Sequence, residues 1–251
     1  MLDPEDARAV RALFGAGDEQ VARDHLLSHL LAVLSQVASE QVVFFGGTAL
    51  GRAYLVKGRL SEDLDLIAVR DRRDVAPMLE LQLVRGLRRE YPGLRWARSL
   101  IEVKDTEAAL LVTPADLAVR IQLLRADGLA DWPTEFRNLE QRYSDAPAAR
   151  LRVPTLPAFA AMKTAAWAER RAARDLYDLW ALAAEGALNG EAAQLYARFG
   201  PTGRVPASYI FNDAPGETSW QRELANQTRL TITAAQALED VRAAWSRFDS
   251  S

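Results

Sequence analysis

Between Phe44 and Leu66 the chain reads FFGGTALGRAYLVKGRLSEDLDL, and this stretch limits the possible folds more than any other. Val42, Val43, Phe44 and Phe45 are β-branched or aromatic, which suits a short buried strand. Gly46 and Gly47 turn the chain sharply and let a ligand approach, because no Cβ stands in the way. Thr48 is placed to cap a helix over 49–56, whose free N–H groups would offer an anion site. Downstream, Asp63 and Asp65 alternate with Leu64 and Leu66, so both carboxylates face one side of one strand.

Two carboxylates on one face repel each other, and a hard divalent cation with oxygen ligands relieves that repulsion. Mg²⁺ commonly takes one or two protein carboxylates plus substrate phosphates, so the pattern points to nucleoside triphosphate chemistry with Mg²⁺ or Mn²⁺. A solvated edge strand is the plain alternative for Asp-x-Asp alone. The Gly-Gly turn before it favours the phosphate reading.

At 251 residues and 49% apolar content the chain can bury a sizeable core, as one large domain or two modest ones. It contains no cysteine, which removes disulfides, thiolate zinc sites and a cysteine nucleophile. The N-terminal MLDPEDARAV has no basic segment leading into an apolar one, and no run approaches membrane-span length, so a cytoplasmic protein with no membrane partner is expected. With a net charge of −3, nucleic-acid binding would need a local basic patch. Arg85, Arg88, Arg89, Arg95 and Arg98 read as a solvated face; Lys163, Arg170, Arg171 and Arg174 are the stronger candidate.

Periodicity predicts an amphipathic helix over 18–38, carrying the only two histidines, His25 and His29, four residues apart. Such a pair could ligate a metal, but no third ligand lies nearby in sequence, and packing or substrate contact is the expected role. A helix follows over 73–89, then strands over 96–103, 108–112 and 117–124. The fold class expected is α+β: a mixed sheet with helices in residues 1–125, a polar connection over 126–150, and a helical lobe over 151–251. In that lobe, helices are predicted over 156–169, 172–185, 190–199 and 232–245, with a Pro- and Gly-rich loop over 200–217.

If 163–174 were one helix, Lys163, Trp167, Arg170 and Arg174 would share a face, and Arg171–Asp175 and Arg174–Asp178 would be i,i+4 pairs. Such pairs commonly lace exposed helices. Here Leu176, Tyr177, Leu179 and Trp180 surround the aspartates with apolar bulk, and charges in such surroundings are paired or belong to a site.

The GGTAL turn, the RLSEDLDL strand, the distant Lys163, and Arg174-Asp175 with Tyr177-Asp178-Leu179 together resemble the AbiEii/AbiGii-type nucleotidyltransferase toxins, which include the MenT toxins of the DNA polymerase β-like superfamily. The resemblance spans about residues 20–182. It implies transfer of a nucleotide from an NTP to RNA, the 3′ end of tRNA being the expected acceptor, with a cognate antitoxin as partner. By resemblance, Gly46, Gly47, Thr48, Arg59 and Ser61 bind the nucleotide, and Asp63 and Asp65 bind metal. Lys163 neutralises phosphate charge, one of Asp175 and Asp178 is needed for activity, and Arg170, Arg171 and Arg174 meet the RNA. Modification of Ser61 would add negative charge near the triphosphate and oppose its binding.

Superfamily members often carry a third carboxylate on a neighbouring strand, where this chain has Gln122. A neutral amide can neither offset metal charge nor accept a proton. Either Asp63 and Asp65 suffice, or Glu102, Asp116 or a substrate group completes the site. Two other readings compete with the toxin: a small-molecule acceptor, as in antibiotic-modifying enzymes, and a catalytically inactive nucleotide- or RNA-binding module.

Overall fold

The computed structural model describes residues 2–127 and 131–248, which form two compact units divided along the chain between Pro154 and Thr155. In the first unit Asp3 caps α1 (Pro4–Phe14) by accepting from the Glu5 amide at 2.6 Å. In α2 (Asp18–Val37) Val21, Leu26, Leu27, Leu30, Leu31 and Leu34 are all buried. The sheet consists of β1 (Val42–Phe45), β2 (Asp63–Ala68), β3 (Arg95–Arg98), β4 (Ala108–Val112), β5 (Ala118–Leu124), β6 (Thr134–Leu139) and β7 (Ala149–Pro154), in the order β3-β4-β5-β2-β1-β7-β6. It is mixed: β1 runs antiparallel to β2 and parallel to β7, while β2 runs parallel to β5. Helices α3 (Gly46–Ala53) and α4 (Arg72–Gly86) complete the unit, with α2 packed on β7 and on α4. The α+β class follows directly.

Two expectations change here. The polar segment over 126–150 is no simple connection, because it holds β6 and the start of β7, and the division between units falls at residue 154 (residues 128–130 lie outside the described residues). β6 is an edge strand with polar, largely exposed residues, so its pattern carries little apolar alternation. The strand expected over 96–103 is shorter, ending at Arg98. Arg72 donates from Nη2 to the carbonyls of Leu100 at 2.8 Å and Val103 at 3.1 Å, holding 100–103 as a turn.

The second unit is helical: α5 (Leu156–Arg170), α6 (Ala173–Ala184), α7 (Gly190–Phe199), α8 (Glu217–Leu224) and α9 (Ala234–Ser246). Trp167, Trp220 and Trp245 are fully buried, and Trp167 Nε1 donates to the Ile210 carbonyl at 2.8 Å. Residues 163–174 do not form one helix. Arg171 caps α5 with a left-handed φ of 51°, its N–H bonded to the Trp167 carbonyl at 3.0 Å. The loop over 200–217 contains a short 3₁₀ turn, Ser208–Phe211, that buries Ile210 and Phe211. Among the described residues no helix is long and apolar enough to cross a membrane.

Candidate active site

Phe45 pairs with Asp65 across the antiparallel β1–β2 ladder, and α3 begins at the next residue. Gly46 has a φ of 78°, and a Cβ there would lie 2.1 Å from Asp65 Oδ2. A Cβ on Gly47 would lie 2.7 Å from Arg59 Nη2 and 3.0 Å from Ser61 Oγ. The glycines thus let the helix start in close contact with Asp65, Arg59 and Ser61. Because the first N–H groups of any α-helix lack intrahelical partners, anion-binding donors stand beside the carboxylate pair.

Thr48 is not the N-cap of this helix. Phe45 holds that position, and Thr48 is buried in the first turn, its hydroxyl donating to the Asp63 carbonyl at 2.5 Å. The helix therefore starts earlier than Thr48-capping implies, and the hydroxyl instead ties α3 to β2. Arg59 is buried as well, donating to the Leu60 carbonyl at 3.2 Å.

Along β2, Leu64 and Leu66 are fully buried while Asp63 and Asp65 are half-buried on the opposite face, as period two demands. On the adjoining β5, Arg120 stands in register with Asp63 and Gln122 with Asp65. Arg120 Nε lies 4.0 Å from Asp63 Oδ1 on a side chain 67% exposed, a distance that contributes little in water. Gln122 thus occupies the place beside the pair where a third carboxylate would stand. Of the alternatives, Glu102 accepts from the Ser99 amide at 3.1 Å, and Asp116 sits in the turn before β5 with a φ of 60°; both are exposed. Asp63 and Asp65, both partly exposed on one face of β2, offer oxygen donors of the kind a hard divalent cation takes.

A network absent from the sequence reading positions α3. Asp24 on α2 is buried and accepts from Arg52 Nη2 at 2.8 Å, Arg142 Nη1 at 3.1 Å and the Tyr143 hydroxyl at 3.1 Å. Burial, then repulsion from Arg142, lowers the Arg52 guanidinium to about 10, which leaves it charged at neutral pH. Nothing in the local pattern marks these residues, because their partners lie on α2, α3 and the segment after β6.

Lys163, Asp175 and Asp178 do come together. Lys163 Nζ lies 2.6 Å from Asp178 Oδ2 and 3.2 Å from Asp175 Oδ1, all three side chains being buried. Arg170 reaches Asp175 with two bonds, Nε to Oδ2 at 2.6 Å and Nη2 to Oδ1 at 2.8 Å. Arg170 and Lys163 therefore take the places that helical spacing had given to Arg171 and Arg174. Those two arginines are exposed, and the Arg171 guanidinium lies 5.3 Å from the Trp167 ring centroid. Burial alone would raise the Asp175 carboxyl, but the Arg170 bond and the Lys163 charge outweigh it and hold it below the ordinary carboxylate range.

His25 and His29 are buried side by side, with Nε2 atoms 3.3 Å apart. The third polar neighbour that sequence spacing could not supply is Asp145, 3.0 Å from His25 Nε2. Burial pushes the His25 imidazole below its usual range despite the opposing pull of Asp145.

The chain resembles known proteins in fold and in family. The MenT4 nucleotidyltransferase toxin of Mycobacterium tuberculosis H37Rv superposes with a TM-score of 0.66 at 22% identity, over 96% of this chain and 88% of that one. A candidate nucleotidyltransferase from H. pylori superposes with a TM-score of 0.54 at 15% identity, over 93% of this chain and 96% of that one. At these identities the likeness is one of fold. Among proteins of curated function, none matches the chain in sequence. The family model for the nucleotidyl transferase AbiEii toxin of type IV toxin–antitoxin systems matches residues 29–251. Because that match covers most of the chain, the protein belongs to the AbiEii family of nucleotidyltransferase toxins.

Proposed function

We propose that the chain transfers a nucleotide from an NTP to RNA, with the 3′ end of tRNA as acceptor, and so blocks translation in the cytoplasm as the toxin of a toxin–antitoxin pair. One observation carries this reading: Asp65 fills the space that a Gly46 Cβ would need, so paired carboxylates and helix N–H donors share one spot. Mg²⁺ or Mn²⁺ held by Asp63 and Asp65 would, when bound, neutralise triphosphate charge and orient the phosphates. Gly46, Gly47 and Thr48 present backbone amides to those phosphates, with Arg59 and Ser61 alongside. An acceptor hydroxyl attacks the α-phosphorus in line; the new O–P bond forms as the bond to pyrophosphate breaks, pyrophosphate leaves with the electron pair, and the hydroxyl proton passes to water. Positioning and charge compensation supply most of the rate.

Lys163, Asp175 and Asp178 are the second set of residues the reaction needs, with Arg170, Arg171 and Arg174 meeting the RNA backbone. The exposure of Arg171 and Arg174 favours an RNA acceptor over a small one. A cognate antitoxin restrains the activity, and modification of Ser61, beside Gly47, is one route by which it would do so.

The test is incubation with each α-labelled NTP, Mg²⁺ and total RNA. Label on tRNA from wild type and none from Asp63→Asn is expected. Equal labelling by Asp63→Asn, or no RNA labelling with any nucleotide, overturns the proposal. Label on a small hydroxyl compound that survives charge reversal at Arg171 and Arg174 would establish the small-acceptor reading instead.

A further inference from the structure

His25 Nε2, His29 Nε2 and Asp145 Oδ1 form a triangle with sides of 3.0, 3.3 and 3.6 Å. A tetrahedral zinc ion with bonds of about 2.0–2.1 Å to nitrogen and oxygen has ligand atoms about 3.3 Å apart. The triangle therefore has the dimensions of one face of such a tetrahedron. Both histidines are buried, with side chains 5% exposed, whereas the Asp145 side chain is 29% exposed, so solvent reaches the cluster from one side.

One proton on His25 Nε2 can serve this triangle without a metal, reaching Asp145 at 3.0 Å and facing the His29 Nε2 lone pair at 3.3 Å. A cation at the centre would take that proton's place and accept all three lone pairs at once. The far side of the ring is prepared for this: His25 Nδ1 lies 2.5 Å from the Tyr91 hydroxyl, the kind of outer contact that fixes the tautomer of a metal-bound imidazole.

We propose that His25, His29 and Asp145 form a binding site for a zinc-class divalent cation, separate from the Asp63–Asp65 pair, that staples α2 to the segment following β6. Two imidazoles and one carboxylate suit Zn²⁺ and its later transition-metal neighbours rather than Mg²⁺, which prefers oxygen throughout. The stapled segment carries Arg142, whose Nη2 donates to the Gly51 carbonyl at 3.3 Å, and Gln141, which donates to the Ser28 carbonyl at 3.0 Å. The cation would thus add a further tie to a stretch of irregular backbone held by these side chains and by few backbone bonds, among them Glu140 N–H to the Arg52 carbonyl at 2.8 Å.

The experiment starts from full-length protein freed of metal by chelation and titrated with Zn²⁺ or Co²⁺. One equivalent bound per chain, with a tetrahedral Co²⁺ absorption spectrum, is expected. The melting temperature should rise by about 5 °C or more at about 100 times the dissociation constant. Tyr91→Phe should weaken binding about tenfold by loss of the outer contact, and His29→Gln by more than that. Asp63→Asn with Asp65→Asn should leave this equivalent intact, which separates it from cation bound at the nucleotide site. The proposal fails if wild-type apoprotein gives no tetrahedral Co²⁺ signal, if His29→Gln and Asp145→Asn bind as wild type does, or if the Asp63/Asp65 variant abolishes binding. Should His29→Gln not fold, the wild-type Co²⁺ spectrum alone decides.

Discussion

Asp65 occupies the volume that any side chain on Gly46 would claim, its Oδ2 standing 2.1 Å from that Cβ position. Backbone and carboxylate are thereby locked in one arrangement. A Gly46→Ala change meets two separate obstacles, a left-handed φ of 78° and a collision with the carboxylate. The backbone term alone costs about 1–2 kcal/mol. We expect a lowered denaturation midpoint and at least a tenfold loss of nucleotide transfer, measured by chemical denaturation and by RNA labelling. Wild-type labelling by Gly46→Ala would show that close approach is not needed there.

Gln122 stands in register with Asp65 on the adjoining strand. Gln122→Glu would install a third carboxylate there. The added charge raises repulsion without metal and is relieved with it. We therefore expect half-maximal labelling at a lower Mg²⁺ concentration than wild type requires, together with reduced thermal stability in chelator. An unchanged Mg²⁺ dependence would place Gln122 outside the metal's reach.

Asp24 is buried among Arg52, Arg142 and Tyr143, so deleting its carboxylate strands buried guanidinium charge. Asp24→Ala should destabilise the first unit by about 3–5 kcal/mol, the range for breaking a buried ion pair from one side. Chemical denaturation followed by far-UV circular dichroism checks this. A loss below about 1 kcal/mol, the level of a surface pair, would contradict it.

The Asp175 carboxyl is held below its ordinary range once Arg170 and Lys163 have outweighed the effect of burial. Its folded value is lower than its unfolded one. The resulting stabilisation is complete above the unfolded value of about 4 and disappears as pH falls through the folded value. Melting curves of the full chain, taken over a descending acid series, should show this loss, and Asp175→Asn should flatten the dependence while lowering stability at neutral pH. An acid profile identical in wild type and Asp175→Asn would refute the assignment.

The parts of the site legible in the sequence are those written within a few residues of one another. The Val42–Phe45 strand, the glycines and the Asp63–Asp65 alternation all lie in one local stretch, and period two alone places both carboxylates on the open face of β2. Helix ends were legible where apolar periodicity and breakers agreed, as at Gly190–Phe199. What could not be read depends on contacts between distant segments. Asp145 reaches His25 across more than a hundred residues, and the Asp24 network joins segments equally far apart. β6 was not legible because an edge strand need not alternate, whereas the break between the helices over 156–169 and 172–185 was, although no glycine or proline marks the left-handed backbone of Arg171.

The pairing of β1 with β7 has a consequence for how the chain is made. β1 enters the sheet early, yet the strand that covers its second edge comes only at residues 149–154. Through most of the synthesis of the first unit, the strand leading into Gly46 keeps one row of backbone donors and acceptors unpaired. Such an edge is open to other strands. A nascent chain stalled before residue 149 is therefore exposed to strand-mediated aggregation, and a ribosome that releases it early yields an adhesive fragment instead of a working toxin.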